Sequence, residues 1–265
     1  MQGRNAPVSV PGLDPVSVSA CRERNAPVSV PGRLGGAARH ARVASPPMEQ
    51  VLIFLPVLLV SVVLHELAHG WVALKQGDDT ALRAGRLTLN PVPHIDFIGS
   101  ILVPMALVLM PGNLLFGWAK PVPVDPRNFR KYRRGDILVS LAGVGANLAL
   151  VAVFIGLMVA ALWLGRWAPA AGSVAEVVYR MGALGVILNL ILIFFNLIPL
   201  PPLDGSHVLY HLLPRGVREP YRSAGRYGLL ILMGLIFLAP GLLSALLWPA
   251  YALTDVAFAV VEWLA

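Results

Sequence analysis

Residues 51–264 read as a series of apolar runs separated by short polar or Pro/Gly-rich breaks. A run predicts a membrane-spanning helix when it holds about 20 mostly apolar residues, enough to cross a ~30 Å hydrocarbon core at ~1.5 Å per residue. The runs at about 51–73, 136–164 and 174–198 meet that length. The run FIGSILVPMALVLM at 97–110 does not: it is interrupted by Pro104, stopped by Pro111-Gly112, and would cover only about 21 Å. The last apolar region, 228–264, is broken at Pro240-Gly241 and Pro249. It predicts either one crossing plus an interfacial helix or a hairpin. Together these runs predict an all-α polytopic membrane protein, a bundle of about 4–6 transmembrane helices.

The first 47 residues lack the pattern. RNAPVSVPG occurs at 4–12 and again at 24–32, with Pro, Gly, Ser, Val and Arg dominant and no helical period. This composition reads as a disordered tail. It has no apolar stretch of the kind a secretory signal carries. Met48 directly precedes the first apolar run. We therefore expect the tail to be an upstream extension and the membrane domain to occupy 48–265; N-terminal sequencing of native protein checks this.

Composition fixes the class. Of 265 residues, 57% are hydrophobic and 13% charged, against about 25% charged in a soluble domain. The mean hydropathy is +0.71. The formal net charge is +7. Lys75, Arg83, Arg86, Lys120, Arg127, Arg130, Lys131, Arg133 and Arg134 lie between 74 and 135, and Arg215, Arg218, Arg222 and Arg226 between 214 and 227. By the positive-inside rule both regions face the cytoplasm and anionic lipid. The aromatic-interleaved basic patches of a nucleic-acid binder are absent, so the bilayer, and no nucleic acid, is the expected partner. The first run then enters from outside and carries its inner half toward the cytoplasm. The arginine-bearing tail would lie outside, against the same rule. The single cysteine, Cys21, sits in that tail. An intrachain disulfide and a Cys-based zinc site are thereby excluded, and any metal must be held by His, Asp or Glu.

Candidate chemistry sits in LHELAHGW, 64–71, inside the first run. Ionisable groups within a membrane helix are costly and mark function by default. His65 and His69 are four residues apart, so they share a helix face and can reach one ion. Neutral imidazole nitrogens are good zinc ligands. Glu66 lies about 100° round the helix, near such an ion without having to bind it. It is placed to take a proton from activated water and return it to a leaving amine. A polar contact between helices is the plainer alternative.

A catalytic zinc needs a third protein ligand and an open position. Asp204, in NLIPLPPLDGSHVL, is the candidate, in a Pro/Gly-rich stretch of the kind tolerated at membrane depth where it lines a cavity. Taken alone, Asp204 reads as the N-cap of a helix over 205–213. His69 and Asp204 can meet only if an even number of crossings separates them. The runs at 136–164 and 174–198 supply two. Segment 97–110 must therefore re-enter, or pair with a return through NLLFGWA at 113–119.

With HELAHG, AGVGAN and NLIPLPPLDG in this order, the chain resembles the site-2 protease family of intramembrane zinc metalloproteases. The resemblance covers about 48–250. It is closest to the compact bacterial branch without PDZ or CBS domains, which carries stretches like AGRLTLNPVPHIDFIGS (84–100) and FGWAKPVPVDPRNFR (116–130). The resemblance implies one Zn2+ per chain, held by His65, His69 and Asp204, with Glu66 as general base and acid. It implies that Asn147 and Asn196 help to bind the substrate backbone or the oxyanion. Val144 stands where relatives usually have Pro. The implied activity is endoproteolysis in or near transmembrane segments of other membrane proteins. The implied location is a bacterial inner membrane, multi-pass, with the active site toward the cytoplasm.

GRLTLNP (85–91) alternates polar and apolar residues and reads either as a short edge strand near the site, to which an unwound substrate would add, or as a plain loop. His94 and Asp96 read as a pair supporting or covering the site, or as interfacial loop residues. His207 and His211, also four apart, read as one face of an interfacial helix or as a second metal site. GVGAN reads first as a small-residue helix-packing seam. Two other functions use similar parts. A multipass metal-ion carrier would share the ligands, but the halves show no inverted repeat. A membrane metalloprotease acting on soluble or juxtamembrane substrates would take a later Glu as ligand, and Glu176 falls at the opposite membrane face.

Overall fold

In the computed structural model the described residues are 47–103, 105 and 119–265. The tail through residue 46, most of the expected re-entrant stretch, and the return at 113–118 lie outside them. The described residues are helical, and no strand forms among them. Helix α1 is Pro47–Gln76 and α2 a single turn at Thr80–Arg83. The long helices α3, Tyr132–Trp167, and α4, Gly172–Asn196, follow. Then come α5 (Asp204–Leu212), α6 (Arg215–Ala224), α7 (Gly228–Leu238), α8 (Pro240–Leu246) and α9 (Trp248–Leu264).

Helix α1 ends where its sequence says it should. Gly77 takes φ +112°, its N–H donates to Leu74 O, and the Asp78 N–H donates to Ala73 O. That paired closure is a Schellman motif, which favours glycine at the left-handed position. The breaks expected at Pro240-Gly241 and Pro249 separate α7, α8 and α9. Among the described residues, the helices at Val51–Gln76, Tyr132–Trp167 and Pro169–Asn196 are long and apolar enough to span a membrane. Arg215–Leu238 and Pro240–Leu246, bent by 102° to one another, make a fourth span if taken as one.

The bundle core joins α1, α3, α4 and α9 through Val57, Leu150, Phe154, Met158, Val186, Leu190, Ala250 and Val261. In lipid, helices associate by close packing rather than by a hydrophobic drive. Gly182 and Gly185 of α4 provide it: a Cβ at either would meet Met158 or the Phe154 ring at 2.4–2.6 Å. The distribution of polarity is inverted relative to a soluble protein. Ser61, His65, His69, Ser140, Asn147 and Asn189 are buried, while Leu52, Val60, Leu148, Val153 and Leu157 are exposed. Such an apolar exterior is a liability in water and the required surface in lipid.

The segment between α1 and α3 is pinned to the C-terminal end of α1. The buried Asp78 carboxylate accepts from Thr80, from the Asn128 amide and from the Asp125 N–H. The Arg130 N–H donates to Gln76 O. Arg86 donates to the Lys120 and Pro121 carbonyls, and the Lys120 N–H donates to His94 O. The chain thus leaves at Phe97 as a π-helical turn, Phe97–Leu102, and is back beside His94 at Lys120. The described residues flanking that stretch, His94 and Lys120, thus lie together. GRLTLNP forms no strand. The Thr88 hydroxyl accepts from the Asn90 N–H and the Asn90 carboxamide from the Val92 N–H; such local turns compete with an extended ladder.

Candidate metal centre

The i, i+4 spacing on α1 brings the His65 and His69 rings edge to face, with Nε2 atoms 3.0 Å apart. Helix α3 runs antiparallel beside them and fixes each ring. His69 Nδ1 donates to the Val139 carbonyl at 2.7 Å. A carbonyl only accepts, so Nδ1 carries the proton and Nε2 of the neutral ring presents a lone pair. His65 lies against Gly143, where a Cβ would sit 2.4–2.6 Å from its ring atoms. Gly143 is therefore the notch that admits the imidazole, a role the reading of GVGAN as a packing seam did not anticipate.

One turn further along α3, the buried amide of Asn147 reaches His65 Nδ1 at 3.2 Å, and its Oδ1 has no partner. Amide orientation follows from the hydrogen-bond network. Turning this amide over lets Oδ1 accept an Nδ1–H, which fixes His65 in the same tautomer as His69. A ring nitrogen tied in this way is the usual support of a metal-binding histidine. Asn147 thus touches the His65 ring itself. One turn before His65, the buried Ser61 hydroxyl accepts from Asn189 of α4.

Asp204 completes the group. It opens α5 and makes no cap hydrogen bond, so the N-cap reading does not hold. Its Oδ2 lies 3.3 Å from both Nε2 atoms, buried and without a hydrogen-bond partner. Gly205 brings the turn in: a Cβ there would lie 2.2 Å from Leu197 O, so α5 can begin directly against the end of α4 only with glycine. Three lone-pair atoms 3.0–3.3 Å apart repel one another unless a cation sits among them. A tetrahedral ion with bonds of about 2.0–2.1 Å has ligand edges of about 3.3 Å. Two imidazole nitrogens, one carboxylate oxygen and this triangle fit zinc. Among the described residues, His65, His69 and Asp204 are the group of His, Cys, Asp and Glu able to hold a metal ion.

The other expected site residues fall elsewhere. Glu66 lies beside the triangle on α1, its Oε2 accepting from the Val122 N–H at 2.7 Å. Asn196 donates to Leu192 O at the end of its own helix. His94 is buried in the loop with Nε2 at 3.1 Å from Thr88 O. His207 and His211 converge on Asp136 of α3, at 3.2 and 2.7 Å, so they form a clamp between α5 and α3 and no second metal group. Asp136 carried a signal the sequence reading passed over, as the lone carboxylate at the head of an apolar run.

The family model of peptidase family M50 matches residues 167–239. A Bacillus subtilis (strain 168) protein named as a zinc metalloprotease, YwhC, is 41% identical over 203 residues, covering 77% of this chain and 87% of its own. A Mycolicibacterium smegmatis protein named as a zinc metalloprotease, Rip2, is 30% identical over 193 residues, 72% of this chain and 70% of its own. One from Methanocaldococcus jannaschii, MJ0611, is 29% identical over 175 residues, 64% and 76%. No solved structure gives a significant match.

Proposed function

Because the chain belongs to peptidase family M50, the site-2 protease family, and is a membrane zinc metalloprotease, we propose that it is an intramembrane endopeptidase. It hydrolyses peptide bonds in or near transmembrane segments of other membrane proteins, with His65, His69 and Asp204 as zinc ligands and Glu66 as the proton carrier. The observation that carries this reading is the ligand triangle formed by Asp204 with His65 and His69 of the span Val51–Gln76. His69 and His65 stand about 10 and 17 Å from the inner end of that helix at ~1.5 Å per residue. The basic loops at both ends of the α3–α4 pair support a site that faces the cytoplasm.

Zinc, when bound, supplies Lewis acidity to a carbonyl and lowers the pKa of water. The rest is the work of the chain's own residues. The Val122 N–H holds Glu66 Oε2, which leaves Oε1 to take a proton from water and deliver it to the leaving amine nitrogen. His65 and His69, fixed by Asn147 and Val139 O, hold their lone pairs on one point. A substrate helix hides its peptide bonds in i→i−4 hydrogen bonds, so it must unwind before it can be cut. Glu66→Gln tests the assignment: zinc stays at one per chain while cleavage of a membrane-embedded substrate falls about 10²–10⁴-fold. A Gln variant cutting at the wild-type rate defeats it. The metal-carrier reading gives Glu66 no task, and family membership stands against it.

A further inference from the structure

A second side-chain cluster lies on the helix that Asp204 opens. A cavity of about 280 Å³ is lined by Tyr132, Pro201, His207, Tyr210, Tyr221 and Arg222. His207 is half exposed to it, with Nδ1 3.2 Å from the buried Asp136 carboxylate. The other oxygen of that carboxylate accepts from His211 Nε2 at 2.7 Å, and His211 is enclosed edge to face by Tyr132 and Tyr210. Asp136 accepts the Nδ1–H, so the His207 ring is oriented and its Nε2 presents a lone pair, an acceptor, to the cavity. His207 follows Asp204 by three residues, which puts the two on one helix face with Cβ atoms about 5–6 Å apart. An extended peptide advances about 3.3–3.6 Å per residue. A chain whose scissile bond lies at Asp204 therefore passes His207 within one or two residues.

We propose that His207 Nε2 accepts from a backbone N–H of the unwound substrate one or two residues from the scissile bond, with Asp136 and His211 as positioning residues for that imidazole. The ligand class is an extended peptide segment released from a transmembrane helix. Such a segment arrives with N–H groups stripped of their helical partners, and an oriented acceptor beside the site is what they lack. The aromatic wall suits the apolar side chains of such a peptide.

This inference rests on the proteolytic reading, and its test separates the two. Dye-labelled synthetic transmembrane peptides are screened for cutting by the full wild-type chain in bicelles, and a cut peptide becomes the probe. Its affinity is then measured for Glu66→Gln, Glu66→Gln/His207→Ala and Glu66→Gln/His207→Gln, with zinc content and thermal unfolding recorded for each. The expected result is affinity about tenfold weaker with Ala, partly restored by Gln, with zinc still one per chain and unfolding unshifted. In the active background, added imidazole restores cutting to His207→Ala. Equal affinity of the Ala and parent chains overturns the contact alone. Loss of zinc with His207→Ala overturns it in favour of support for Asp204. Failure of the wild type to cut any peptide removes the proteolytic reading and this inference with it.

Discussion

The protein contains two clusters of the same composition: a pair of histidines four residues apart on one helix, and an aspartate from another. At His65, His69 and Asp204 both histidines offer Nε2, one carboxylate oxygen lies 3.3 Å from each, and that oxygen has no hydrogen-bond donor. At His207, His211 and Asp136 the nitrogens differ in type, Nδ1 and Nε2, and the carboxylate bonds to both as a hydrogen-bond acceptor. The difference lies in what the far ring nitrogens meet. Val139 O takes the Nδ1 proton of His69, and Asn147 stands at Nδ1 of His65, so the lone pairs converge. In the second cluster the carboxylate takes the protons. Helical spacing gathers two imidazoles; the partner of each ring's other nitrogen decides whether they make a metal site or a clamp.

The largest effect that separates the clusters is expected from Asp204→Ala, which should release zinc and reduce proteolysis to background. Asp136→Ala should keep the metal, and zinc content of the two purified variants compares them directly. Retention of tight zinc by Asp204→Ala would make the triangle an accident of packing. Next comes Gly143→Ala. Its new Cβ would overlap the His65 ring, at a cost of about 1–3 kcal/mol in strain. The strain falls on a ligand, so competition with a zinc-chelating dye should reveal weakened binding. Asn147→Leu removes the partner of His65 Nδ1 and should weaken zinc by about 10–100-fold with the fold intact. An unchanged zinc affinity would return Asn147 to a role with the substrate alone. The smallest effect on the metal belongs to His211→Phe: zinc content unchanged, with stability lower by about 1–3 kcal/mol, read as a fall in unfolding temperature.

The long helices were legible because their signal is local. An apolar run of sufficient length needs no partner to be read, and the breaks at Gly77, Pro240 and Pro249 are chemistry of single residues. HELAHG was legible for the same reason, since four residues on a helix fix which side chains share a face. Asp204 was reachable by counting crossings, which restricts its side of the membrane without giving a distance. GRLTLNP was the opposite case. Its alternation fitted a strand or a plain loop, and the hydrogen bonds that the Asn90 and Val92 N–H groups donate to the Thr88 and Asn90 side chains claim the groups a ladder would need.

Local periodicity in the amino-acid order thus pointed to a helical membrane protein, a histidine pair able to share a metal ion, a glutamate beside that pair and the side on which a third ligand had to lie. The folded bundle settled which glycine makes room for His65, that Asn147 touches His65 while Asn196 stays on its own helix, that His94 belongs to the loop, and that Asp136 draws His207 and His211 away from a second metal site. The reason is range. Contacts spanning 70 to 139 residues depend on how each helix is rotated and slid against its neighbour, and those two coordinates are set by packing of whole faces rather than by any short stretch of residues.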